Sequence, residues 1–118
     1  MKGSMSTDLG IITIDPEVIA KYAGTVAVEC FGIVGMAAVN MKDGLVHLLR
    51  NESMAKGVRV IFEEDDTVSI ELHIIVDAGV NLTAVSSSIM SEVRYAVGNM
   101  TGAQVRAVDV YVDSMEID

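Results

Sequence analysis

The stretch from Thr67 to Val112 constrains the fold of this chain more than any other. It reads as an alternating strand, a Gly79-Val80-Asn81 turn, an amphipathic helix closed by Thr101-Gly102, and a second alternating strand. Val68, Ile70, Leu72, Ile74 and Val76 stand opposite Ser69, Glu71, His73, Ile75 and Asp77. A period of two puts one face of a strand into a core and turns the other outward. The same period starts earlier, where Val58, Val60 and Phe62 alternate with Arg59, Ile61 and Glu63. The two runs therefore form an antiparallel hairpin turned at Glu64-Asp65-Asp66. The helix stripe is Leu82, Val85, Ile89, Val93, Ala96, Val97 and Met100, and Gly102 ends it because glycine takes the left-handed cap without steric cost. In the last strand, Gln104 to Val112, Val108, Val110 and Val112 share one face, with Asp109, Tyr111 and Asp113 on the other.

The first half of the chain is less regular. Gly10 to Ile14 is a short extended lead-in. Asp15-Pro16-Glu17 then starts a helix, with a capping carboxylate, proline at the first helical position and a negative charge in the first turn. Val18, Ile19, Tyr22, Ala23, Val26, Ala27 and Cys30 recur at helical spacing and form its core stripe. Gly24 interrupts good helix formers, which points to a neighbouring element packed closely there. Gly32 to Val39 reads as a turn into a strand ending near Asn40, and residues 41–56 as a connection containing a helical turn or two, the most mobile part of the chain. The resulting expectation is a flexible N-terminus over residues 1–9, one domain over 10–113 and a C-terminal end over 114–118. Its order, α-β-β-β-α-β, predicts an α+β two-layer sandwich with both helices on one face of a mainly antiparallel sheet.

Charge narrows the partners. Seventeen acidic residues against eight basic ones give a net charge of −9, which opposes a polyanion and predicts no nucleic-acid ligand. It also opposes adhesion to an anionic bilayer, which draws on clustered Lys and Arg. Hydrophobic residues are 51% of the chain, but in runs far short of the roughly 18 consecutive positions of a spanning helix. No direct membrane insertion is expected. The N-terminus has no apolar signal-peptide core, so the expected location is cytoplasmic, with membrane association only through a partner. Cys30 is the single cysteine, and its place in an apolar helical stripe fits a small buried side chain better than a reactive thiol.

The residues outline no reaction centre. His73 lies beside Glu71 and His47 lies far off in the chain, with no second His or Cys at metal-ligand spacing. Glu63-Glu64-Asp65-Asp66 lacks the ligand spacing of a calcium loop, Ser86-Ser87-Ser88 lacks a nucleophile-elbow frame, and Gly32-Ile33-Val34-Gly35 follows a helix where a dinucleotide motif follows a strand. Catalytic, cofactor and metal residues are therefore not assigned. One positive feature remains. Ile61 and Ile75 fall in phase with polar residues, so the sheet face away from the helices carries apolar groups among Arg59, His73, Asp109 and Tyr111. Ile61, His73, Ile75 and Tyr111 form the expected partner-binding face.

Five segments in order carry a family resemblance: Gly32-Ile33-Val34-Gly35-Met36-Ala37, Lys56-Gly57-Val58, Leu72 to Asn81, Val97-Gly98-Asn99-Met100-Thr101-Gly102, and Val108-Asp109-Val110-Tyr111-Val112. The chain resembles, from about Gly10 to Val112, the bacterial alkaline shock protein family, also called the envelope stress response family, in its short form. The resemblance implies a non-enzymatic protein of Gram-positive bacteria that self-associates as a homo-oligomer and gathers at the membrane through a small integral membrane protein. Short members also resemble a neighbour of a dihydroxyacetone-kinase-like fatty acid kinase. That suggests a partner and an alternative reading, an accessory or ligand-binding subunit of such a kinase, with the connection over residues 41–56 as a lid over a site near His47. No catalytic residues come with the resemblance.

Overall fold

The computed structural model describes residues 3–39, 46–49 and 51–117. Strands β1 (Gly3–Thr7) and β2 (Gly10–Ile14) precede helix α1 (Pro16–Val28). Strand β3 (Ile33–Val39), strand β4 (Val46–Leu49), a 3-10 helix (Asn51–Gly57) and strand β5 (Val58–Phe62) follow. The chain closes with β6 (Thr67–Asp77), α2 (Leu82–Thr101) and β7 (Gln104–Glu116). The α+β architecture is the one the periodicities predict.

β6 organises the sheet. β7 pairs with it in parallel along its whole length, from Thr67↔Gln104 to Asp77↔Glu116. Its opposite edge is shared end to end by two antiparallel partners. β5 takes the first part, from Phe62↔Val68 to Val58↔Leu72, and β3 the last, from Met36↔Ile74 to Ile33↔Val76. β4 extends the sheet beyond β3. A parallel pair needs a crossover, and α2 supplies it between β6 and β7. Val68, Ile70, Leu72, Ile74 and Val76 of β6 are all buried in one cluster with Ile19, Ala23 and Ala27 of α1 and Val85, Ile89, Val93 and Val97 of α2. Both helices thus cover the same face.

The caps read from sequence are present. The Asp15 carboxylate accepts from the Glu17 N–H at 2.9 Å, and the Asn81 Oδ1 accepts from the Ala84 N–H at 2.9 Å. Gly102 adopts φ 73° and its N–H donates to the Gly98 carbonyl at 2.9 Å. The buried Thr101 hydroxyl donates to the Val97 carbonyl and accepts from the Ala103 N–H, which removes the cost of burying it. Asn81→Ala is expected to lower stability by about 1 kcal/mol. The urea midpoint would fall while the slope of the transition stays fixed.

Four details differ from the sequence reading. Residues 3–7, expected to be flexible, form β1 against β2. The turn between them is tied by the Thr7 hydroxyl, which donates to the Gly10 carbonyl and accepts from the Leu9 N–H. In α1 the buried stripe is Ile19, Ala20, Ala23, Gly24 and Ala27, leaving Val18 and Tyr22 exposed. Small residues win that face because the 3-10 helix lies close: a Cβ on Gly24 would sit 3.6 Å from the Met54 Cβ. The connection expected over residues 41–56 contains β4 and the 3-10 helix, and residues 40–45 and 50 lie outside the described residues, so its expected mobility and lid role are not described. β7 continues to Glu116 because the β6 edge continues, with two extra residues, Arg106 and Asp113, accommodated as bulges.

Candidate interaction face

The ladder registers assemble one surface opposite the helices. Arg59 faces Glu71, Ile61 faces Ser69, Glu71 faces Asp109 and His73 faces Tyr111, so all of these side chains share the uncovered side of the sheet. His73 and Tyr111 stack, with ring centroids 4.8 Å apart and an interplanar angle of 10°. The His73 Nδ1 lies 2.8 Å from the Asp113 Oδ2. Asp113 reaches it because the bulge places an extra residue at that point of β7. The guanidinium of Arg59 is 3.5 Å from the Glu71 carboxylate. An exposed pair of this kind adds little stability, about 0–1 kcal/mol, and serves to orient the arginine.

Of the four residues expected on this face, three are available. Ile61 and His73 are half-buried and Tyr111 is 44% exposed. Ile75 is the correction. It lies in the middle strand, paired with Gly35 of β3 and Ser114 of β7, and at this central position it is 8% exposed. The open part of this face is an aromatic and polar strip along β6 and β7, with Ile61 at its β5 margin. Sequence parity put His73, Tyr111 and Asp113 on one face, but their contact depends on a bulge with no local signature. Aromatic residues and arginine are enriched at protein-binding surfaces, and this strip carries both, Tyr111 on β7 and Arg59 on β5.

Other groups stand apart from this strip. The cleft nearest the middle connection, about 250 Å³, is lined mainly by Pro16, Ala20, Ala55, Val58 and Val60, with Glu17 and Lys56 its charged members. Among the described residues no group of three His, Cys, Asp or Glu side chains converges as a metal site. Cys30 is half-buried, its Sγ 3.5 Å from the Val26 carbonyl, and burial, with smaller contributions from Glu92 and Glu29, pushes the thiol up from its ordinary 9.0. A raised folded value means that this group's contribution is fully present below 9.0 and is lost as pH rises through the folded value. Alkylation of Cys30 at pH 8 is expected to be several-fold slower in the native chain than in urea, because less thiolate is present. Timed mass spectrometry of the iodoacetamide adduct measures it.

Over residues 4–117 the sequence matches the alkaline shock protein 23 family, described as having a cell envelope-related function. The chain belongs to that family. YloU of Bacillus subtilis (strain 168) is 39% identical over 118 residues, covering 99% of this chain and 98% of the relative. Spy1614 of Streptococcus pyogenes serotype M6 is 34% identical over 118 residues, covering 99% and 97%. YqhY of Bacillus subtilis (strain 168) is 30% identical over 112 residues, covering 95% and 82%. No solved structure matches. The alkaline shock family assignment agrees with the resemblance carried by the five segments, and the family match runs through every strand and both helices. Among the described residues of this alkaline shock family member, no helix is long and apolar enough to cross a membrane.

Proposed function

We propose that this alkaline shock family member is a non-enzymatic, self-associating interaction module, and that the uncovered face of its sheet binds a protein partner at the cell envelope. The His73–Tyr111 stack, fixed by Asp113, is the observation that carries the reading. It pre-orders an aromatic anchor, which lowers the entropy cost of binding. The net charge of −9 supports a protein intermediary over direct contact with anionic lipid. Partner recognition would centre on Tyr111 and His73, with Arg59 and Ile61 completing the contact. The scaffold makes and breaks no bond.

The test is fractionation of the native host into membrane and cytosol, followed by crosslinking and mass spectrometry. Recovery with the membrane through a specific integral protein, lost in Tyr111→Ala, is the expected result. Recovery in the cytosol with a kinase, unaffected by Tyr111→Ala, would replace the envelope reading with that of an accessory subunit.

A further inference from the structure

β7 lies at the margin of the sheet, and among the described residues β6 is the strand it pairs with, while its Arg106 carbonyl also accepts from the Arg94 guanidinium of α2 at 3.3 Å. Its outer edge therefore offers backbone N–H and C=O groups along a 13-residue strand. Open edges invite strand addition unless Lys, Pro or bulges blunt them. β7 has neither Lys nor Pro. Its bulges fall at Arg106 and Asp113, and between them Ala107–Val112 runs in continuous register with Ser69–Ile74. That central run carries a single charge, Asp109. Tyr111 and Val112 within it are 44% and 37% exposed.

We propose that this edge pairs antiparallel with the same edge of a second copy, about a twofold axis at Val110. The inference rests on the self-association reading above and names its surface. An antiparallel edge is self-complementary under a twofold axis normal to the sheet, so one edge serves both copies and the assembly closes. Charge selects the register. A centre at Asp109 sets that carboxylate against itself, and a centre at Tyr111 sets Asp109 against Asp113. A centre at Val110 sets Asp109 beside the partner's Tyr111 and Val112 beside the partner's Val108, with no like charges opposed. Val110 is also the midpoint of Gln104–Glu116, so this centre gives the longest overlap. The helices of both copies then lie on one side, and the two uncovered faces lie side by side on the other. The bulges confine close pairing to the middle of the strand, so the contact is smaller than that of a permanent dimer and the association is reversible. With −9 on each copy, added salt strengthens it by screening the repulsion.

Sedimentation of the full chain over a concentration series tests this, together with amide hydrogen exchange at the two ends of the series. A monomer–dimer equilibrium is expected, with exchange across residues 107–112 slowing as concentration rises. Tyr111→Glu sets an acidic group beside the partner's Asp109 at two symmetry-related places, and is expected to weaken association about tenfold. Adding Asp109→Lys to Tyr111→Glu converts each repulsion into an attraction and is expected to restore it. Val18→Asp, on the exposed side of α1, is expected to leave it unchanged. Association that ignores Tyr111→Glu, or protection that builds on another segment such as the β1–β2 hairpin, overturns the edge and leaves self-association standing. A chain that stays monomeric throughout overturns both.

Discussion

Ile75→Asp is expected to cost about 3–5 kcal/mol at neutral pH, enough to unfold much of the population of a domain whose total stability is roughly 5–15 kcal/mol. Ile75 is 8% exposed in the central strand, between Gly35 and Ser114. A carboxylate there loses its hydration. The loss should shrink in acid, because a buried carboxyl has a raised folded value and is neutral below it. Ile61→Asp is the matched comparison, since Ile61 is half-buried on β5 and its carboxylate would keep contact with water. Urea unfolding of the two variants at two pH values separates the cases. Equal midpoints would mean that Ile75 is open to solvent and belongs to the contact strip after all.

Gly32→Val is expected to destabilise by roughly 2–5 kcal/mol, from two independent causes. Gly32 has φ 82°, a conformation that β-branched residues strongly resist. An added Cβ would also lie 2.8 Å from the Val85 Cγ2 and 3.2 Å from the Val80 Cγ1, so α2 would have to move. The position is pinned, because the Gly32 carbonyl accepts from the Asp77 N–H at 3.1 Å, tying the α1–β3 turn to the end of β6. Thermal unfolding would show the effect. Gly32→Ala should fall below Gly32→Val by the part that branching adds, since both share the strained φ.

β6, α2 and most of β7 were legible because their signals are local. Alternation over Val68–Val76 needs no knowledge of the partner strands, and neither do Asn81 and Gly102 at the helix ends. The parity of His73 and Tyr111 placed them together for the same reason. What could not be read depends on contacts distant in sequence. Ile75 becomes a central-strand residue only because β3 and β7 pair on either side of it, and the meeting of His73 with Asp113 depends on a bulge set by the β6–β7 register. Gly3-Ser4-Met5-Ser6-Thr7 carries no apolar alternation, so β1 has no sequence signature. Its form comes from pairing with β2, and the hairpin leaves Leu9 and Ile11 exposed. The offset stripe of α1 is a matter of packing distance, where small side chains displaced the larger Val18 and Tyr22.

The position of β6 in the chain also has a bearing on synthesis. Three strands bond to it and five of its side chains fill the core, yet it begins only at Thr67. α1 and β3 leave the ribosome first, with apolar surface made to cover a sheet whose middle has not been translated. At about 5–20 residues per second, that exposure lasts for seconds in every round of translation. The first half of this protein thus waits on its own centre, and slow codons shortly before Thr67 would lengthen that wait.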